Sequence, residues 1–210
     1  MPLIHDRRFV LGAGLAATAF PGLAQAAALT PTPRQTEGPF YPVEIPADAD
    51  NDLVRVAGRG AVAKGTLVEL KGRVLDVQGR PVAGALVEIW QCDHQGRYLH
   101  PGDRGARDED FQGYGRAVAD AGGGYSFRTI KPVPYPGRTP HIHVGVVAPG
   151  RPKLVTQMYV AGDPQNARDG IYRGLGAAGQ RAVTVELAPL PQHEIRGTLA
   201  GTFDIVLPLG

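Results

Sequence analysis

His141 and His143 are the residues whose type and spacing most directly suggest chemistry. Alternate side chains of a β-strand share a face, so both imidazoles would point one way while Ile142 turns into the opposite layer. Two neutral imidazoles on one strand face can each give a nitrogen to a single metal ion. Pro140 just before them restricts Thr139 to an extended conformation, which sets the angle at which the histidines enter the strand. Spacing alone does not decide the matter, because a His-x-His pair is also simply two polar residues on a strand. Two tyrosines add to the candidate set. Tyr98 stands in Gly96-Arg97-Tyr98-Leu99-His100, where a strand gives way to a polar loop. Tyr135 stands between prolines in Lys131-Pro132-Val133-Pro134-Tyr135-Pro136, with little backbone freedom. That stiffness suits a fixed ligand and equally suits a packing aromatic.

The elements that must carry these side chains read as strands. From Thr66 onward Val68, Leu70 and Val74 alternate with Glu69, Lys71 and Arg73, the pattern of a half-buried strand. Asp76 to Pro81 is a turn by its Gly and Pro. Strands are expected over Ala85–Cys92, Tyr125–Ile130, His141–Ala148, Leu154–Ala161, Ala182–Leu187 and Thr202–Leu207. About seven short strands, no helical period sustained over three turns, and 48 Gly and Pro residues in 210 together predict an all-β sandwich. Two polar stretches, Asp93–Arg116 and Gly162–Gln180, are too long for turns and are expected to be functional loops. The first holds Tyr98 and His100, the second Asp163 and Tyr172.

The first residues form a separate unit. Arg7-Arg8 precede a mild apolar run from Phe9 to Phe20, followed by Pro21 and Ala24-Gln25-Ala26. The run is too short and glycine-rich to span a bilayer, so residues 1–27 read as a cleaved export signal of the twin-arginine type. The expected destination is the periplasm or the exterior. Residues 28–65 then form an N-terminal arm, and 66–210 the sandwich domain. Without residues 1–26 the chain has 20 basic and 19 acidic side chains, a balance that argues against nucleic-acid or membrane-surface partners. Cys92 is the one cysteine, which excludes an intramolecular disulfide and a cysteine-built zinc or iron–sulfur site within one chain.

Six segments together resemble the intradiol ring-cleavage dioxygenases, the protocatechuate 3,4-dioxygenase and catechol 1,2-dioxygenase group. They are Thr36–Pro42, Val87–His100, Phe111–Arg116, Gly124–Pro136, Arg138–Val144 and Thr156–Tyr159, in family order. The resemblance implies a single prealbumin-like sandwich holding one mononuclear non-haem Fe(III). Its ligands by motif would be Tyr98, Tyr135, His141 and His143. The chemistry agrees: a bound ferric ion lets a phenol of pKa ~10 ionise at neutral pH, and zinc sites seldom use tyrosine. The resemblance further implies that a catechol displaces Tyr135, whose phenolate then acts as general base, and that O2 opens the ring to a cis,cis-muconate. Arg138 matches the family's active-site arginine and Gln157 a polar pocket residue. Gly38, Pro39 and Phe40 match a substrate-binding arm. Partners would be a small catechol and O2, with homo-oligomerisation open. Gly137 stands where relatives often carry tryptophan, and the helical N-terminal domain of catechol 1,2-dioxygenases is not evident, so the protocatechuate type is the nearer comparison.

A different reading sets Lys71–Phe127 beside carboxypeptidase-regulatory-like modules, which are metal-free prealbumin-like sandwiches. That would make the protein a non-catalytic binding module, and it leaves the Tyr, Tyr, His, His set without a reason. A copper or zinc site on His141 and His143 alone is the third reading.

Overall fold

A computed structural model of the chain describes residues 28–208; the export signal expected at 1–27 lies outside the described residues. In chain order the strands are β1 (Leu67–Asp76), β2 (Leu86–Trp90), β3 (Tyr114–Val118), β4 (Gly124–Ile130), β5 (His141–Val147) and β6 (Leu154–Val160). Two short helices follow, α1 (Gly170–Gly174) and α2 (Gly176–Val183). The chain continues through β7 (Thr184–Val185), β8 (Ala188–Pro189), β9 (Leu199–Thr202) and β10 (Ile205–Leu207). Among the described residues no helix is long and apolar enough to cross a membrane.

The strands form the two layers of an all-β sandwich. In the first sheet β1 pairs antiparallel with β4, and parallel with both β9 and β10. The second sheet has the order β3-β2-β5-β6-β7. Alternation in β1 places Val68, Leu70 and Val74 in the core and exposes Lys71 and Arg73. They meet Val87 and Ile89 of β2, Phe127 of β4, and Ile142, Val144 and Val146 of β5 in one apolar cluster between the sheets.

The second sheet is covered on its other face too. Six of the seven residues of β5 are buried, as are all seven of β6. The cover is the N-terminal arm. Its backbone bonds to Val77 through Leu29, to Val206 through Thr32 and to Val155 through Gln35. Behind it, Trp90, Tyr98, Tyr114 and Val155 form a second buried cluster, with Phe40, Tyr41 and Tyr135 packed against it. The histidine face of β5 thus lies inside the molecule.

Three expectations change in detail. Gly162–Gln180 contains a 3-10 turn at Pro164–Ala167, all of α1 and most of α2. The strand expected from Ala182 shrinks to β7 because α2 runs on to Val183. Thr202–Leu207 splits into β9 and β10, which pair with successive parts of β1. The break falls at Phe203 and Asp204, where the Phe203 amide donates to the Lys71 carbonyl and the Asp204 carboxylate accepts from the Arg73 amide. A side chain at Gly72 would collide with the Phe203 carbonyl, so the crossing needs glycine there. The end of the first long loop also supplies an unanticipated strand, β3.

Candidate active site

Sheet register assembles the site from three strands. Trp90 of β2 stands opposite His143 of β5, and His143 opposite Gln157 of β6. His141 stands opposite Tyr159 in the next row of the same face. Directly paired residues share a face, so these five side chains project together beneath the arm. His141, His143, Trp90, Gln157 and Tyr159 are all at most 1% exposed.

The two imidazoles meet with their Nε2 atoms 3.2 Å apart. His141 Nδ1 lies 2.7 Å from the Thr139 carbonyl, which can only accept, so Nδ1 carries the proton and Nε2 keeps its lone pair. Burial, reinforced by the Arg138 cation, lowers the His141 pKa to about 4. Burial first, then the His141 and Arg138 charges, holds His143 well below its usual range. Both rings are therefore neutral at pH 7, the form that ligates metals.

Two phenols close over them. The Tyr98 ring centroid is 6.1 Å from His143, and that of Tyr135 is 5.4 Å from His141 and 5.5 Å from Tyr98. Burial raises the Tyr98 pKa well above the ordinary phenol value. Burial also raises that of half-buried Tyr135, although the Arg138 cation pulls the other way. The Tyr98 hydroxyl and His143 Nδ1 are buried without a hydrogen-bond partner. An unpaired buried hydroxyl costs about 1–3 kcal/mol, so it calls for a ligand. A metal ion fits this donor set. Bonds of roughly 2.1 Å at right angles place two nitrogens about 3 Å apart, close to the spacing of the two Nε2 atoms. Among the described residues no group of three or more His, Cys, Asp or Glu could hold a metal, so a metal held by the two histidines would need further donors of another kind, and the phenols are the ones at hand.

The expected catalytic and substrate-binding residues lie around this cluster. Arg138 Nε donates to Asp169 Oδ2 at 2.8 Å, and its Nη2 donates to Gln157 Oε1 at 2.6 Å. Gln157 Nε2 donates back to the Thr36 carbonyl in the arm. Phe40 stacks on Tyr98 at 4.9 Å, and its ring lies 6.3 Å from Tyr135. Gly38 has φ +73°, and a Cβ there would lie 3.2 Å from His143 Cε1, so the backbone passes over the imidazole where glycine fits best. Pro39, between them, is exposed. A cleft of about 640 Å³ opens beside Tyr98, bordered by Val43, His100, Arg107 and Glu109.

The individual residues singled out from the sequence did not include Asp169, Trp90, Tyr159 and Gln35. The indole of Trp90 lies nearly parallel to His143, with centroids 5.0 Å apart and planes at 8°. The Tyr159 hydroxyl donates to Gln35 or Gln157, at 2.7 and 3.0 Å. Register would have revealed Trp90 and Tyr159 once the strand order was known. Asp169 and Gln35 reach the site from segments with no strand pattern.

The family model described as "Dioxygenase" matches residues 36–208, most of the chain. The chain is also 38% identical over 184 residues to a protocatechuate 3,4-dioxygenase beta chain of Burkholderia cepacia, covering 83% of this chain and 78% of that one. The chain belongs to the intradiol ring-cleavage dioxygenase family. A hydroxyquinol 1,2-dioxygenase of Corynebacterium glutamicum is 35% identical over 147 residues, covering 61% of this chain and 46% of its own length. The chain thus spans about half of that relative. Among solved structures, the dioxygenase domain of a dioxygenase–carbohydrate-binding fusion from Streptomyces sp. SirexAA-E superposes with a TM-score of 0.65 at 32% identity. That match covers 86% of this chain and 100% of the other.

Proposed function

We propose that this member of the family binds one ferric ion through Tyr98, Tyr135, His141 and His143, and uses O2 to open a catechol between its two hydroxyls, yielding a cis,cis-muconate. The observation that carries this reading is the pair of neutral imidazoles with Nε2 atoms 3.2 Å apart beneath an unpartnered buried phenol. When bound, ferric iron would supply the Lewis acidity that favours phenolate and catecholate at neutral pH.

The protein's own groups do the rest. His141 is held in one tautomer by Thr139, and His143 is clamped between Trp90 and the Gly38 backbone. Burial makes the Tyr135 phenolate a stronger base, so on release it can take a proton from a catechol hydroxyl. Arg138, its plane fixed by Asp169 and Gln157, presents a cation to negative charge developing on the ring. Phe40 and Tyr98 form an aromatic wall that excludes water. The cleft beside Tyr98 gives a planar diphenol a way in. An export signal at residues 1–27 would place this reaction outside the cytoplasm, which cell fractionation tests.

The test is metal analysis with a visible spectrum, followed by oxygen uptake with catechol, protocatechuate and hydroxyquinol. The expected result is about one iron per chain, a reddish tyrosinate band that shifts on adding a diphenol, and one O2 consumed per ring opened. Bound iron with no uptake across the panel would favour a non-catalytic binding module. A protein that stays colourless after iron reconstitution would refute the ligand set.

A further inference from the structure

Asp169 lies at the start of α1, outside the strands that build the site, and its side chain is fully buried. Its two oxygens accept four hydrogen bonds. Oδ1 takes the amides of Ile171 and Tyr172, both at 2.9 Å, and so caps α1. Oδ2 takes Arg138 Nε at 2.8 Å and the Thr139 amide at 3.0 Å. The carbonyl of that same Thr139 receives the His141 Nδ1 proton. One carboxylate therefore grips both the Arg138 guanidinium and the residue that sets the His141 tautomer.

The geometry at Arg138 adds direction. Nε is held by Asp169 and Nη2 by Gln157, and neither contact involves Nη1. With two of its three nitrogens tied, the guanidinium plane cannot swing, and Nη1 keeps its donors for an incoming oxygen. A charged carboxylate is the acceptor that holds a buried guanidinium best. Asp169 is also held in the charged form: burial raises its pKa, but the Tyr172 amide and Arg138 outweigh that and lower it. The network continues through α1, where the Tyr172 ring packs on Tyr159 at 4.8 Å and Tyr159 lies 6.0 Å from His141.

We propose that Asp169 is a positioning residue that aligns Arg138 with the substrate and fixes His141 as a metal-ready tautomer through one buried carboxylate. It deepens the reading of the Tyr98, Tyr135, His141 and His143 cluster as a ferric catechol site and rests on it for the identity of the ligands. Asp169→Asn is the direct test. Asparagine still offers an oxygen to cap α1, but turns an NH2 group toward the Arg138 and Thr139 donors.

In the full-length iron-loaded enzyme, kcat should fall by about 10²-fold with KM changed far less, since the loss falls on charge stabilisation at the ring. Asp169→Glu, which keeps the charge, should recover part of that loss. The second readout needs no turnover. In the full chain stripped of metal, nitrogen NMR should show a slowly exchanging Arg138 Nε–H and an Nδ1-protonated His141. Asp169→Asn should abolish the first signal and mix the tautomers of the second. If the asparagine variant does not fold, Asp169→Ser serves, being a good helix cap too short to reach Arg138. An unchanged signal at either side chain, or a loss confined to KM, would overturn the proposal. Wild-type protein inactive on every diphenol would instead sink the functional reading, while the NMR arm still decides whether Asp169 holds Arg138 and His141.

Discussion

The two faces of β5 are built from adjacent residues and follow opposite rules. On the inner face Ile142, Val144 and Val146 fill the space between the sheets, where shape and apolar area decide everything. On the outer face His141 and His143 are just as buried, yet they leave a nitrogen, and above them a phenol, without a protein partner. The inner face is complete as it stands. The outer face carries a desolvation cost that only a ligand offsets. Burial of the same depth thus means stability on one side of a strand and function on the other.

The widest separation of the two faces should come from His143→Ala. Iron content and the reddish band should vanish and oxygen uptake should drop to background, while the metal-free variant still folds cooperatively, because the apolar layer on the inner face of β5 is untouched. Circular dichroism melts with metal analysis check both halves. Arg138→Gln should keep the colour but lower kcat by about 10²- to 10³-fold, the usual effect of losing one preorganised electrostatic group. Ile142→Ala should do the reverse, costing about 3 kcal/mol in denaturant melts while activity at low temperature stays near wild type.

The smallest effect is a pH dependence of the metal-free protein. His141 is held down to about 4 in the fold against an ordinary 6.5, so the unfolded chain takes up its proton first as pH falls. Stability is therefore fully present above the unfolded value and is lost as pH drops through that window. Thermal melts of chelator-stripped protein from pH 7 to pH 4 should show the decline, and His141→Gln should flatten it.

The inner face could be read directly from the sequence, since alternation in β1 and the apolar partners of His141 and His143 repeat at period two. The strand positions of the histidines followed from the same rule, whereas the set of residues around them came from family motifs. The segment holding Asp169 was harder. Four of the 13 residues in α1 and α2 are glycine, a composition that disfavours helix by about 1 kcal/mol per position. Those helices exist because they dock, with Asp169 and Tyr172 as the anchors. No local pattern announces a helix stabilised from outside, and none shows that its cap is also an arginine's partner. Gln35 was hidden for a related reason: its side chain bonds Thr156 and the Gln157 carbonyl across more than 120 positions of sequence.

That last contact would link removal of the proposed export signal to catalysis. The strip of backbone from Leu29 to Gln35 is stitched to both sheets, and its end reaches Gln157 and Tyr159 behind the histidines. A peptidase that stops before residue 28 leaves this strip whole. One that trims seven or eight residues further unplugs Gln35 and lets solvent in behind the imidazoles. The enzyme's competence would then be set, in part, by where another enzyme chose to cut.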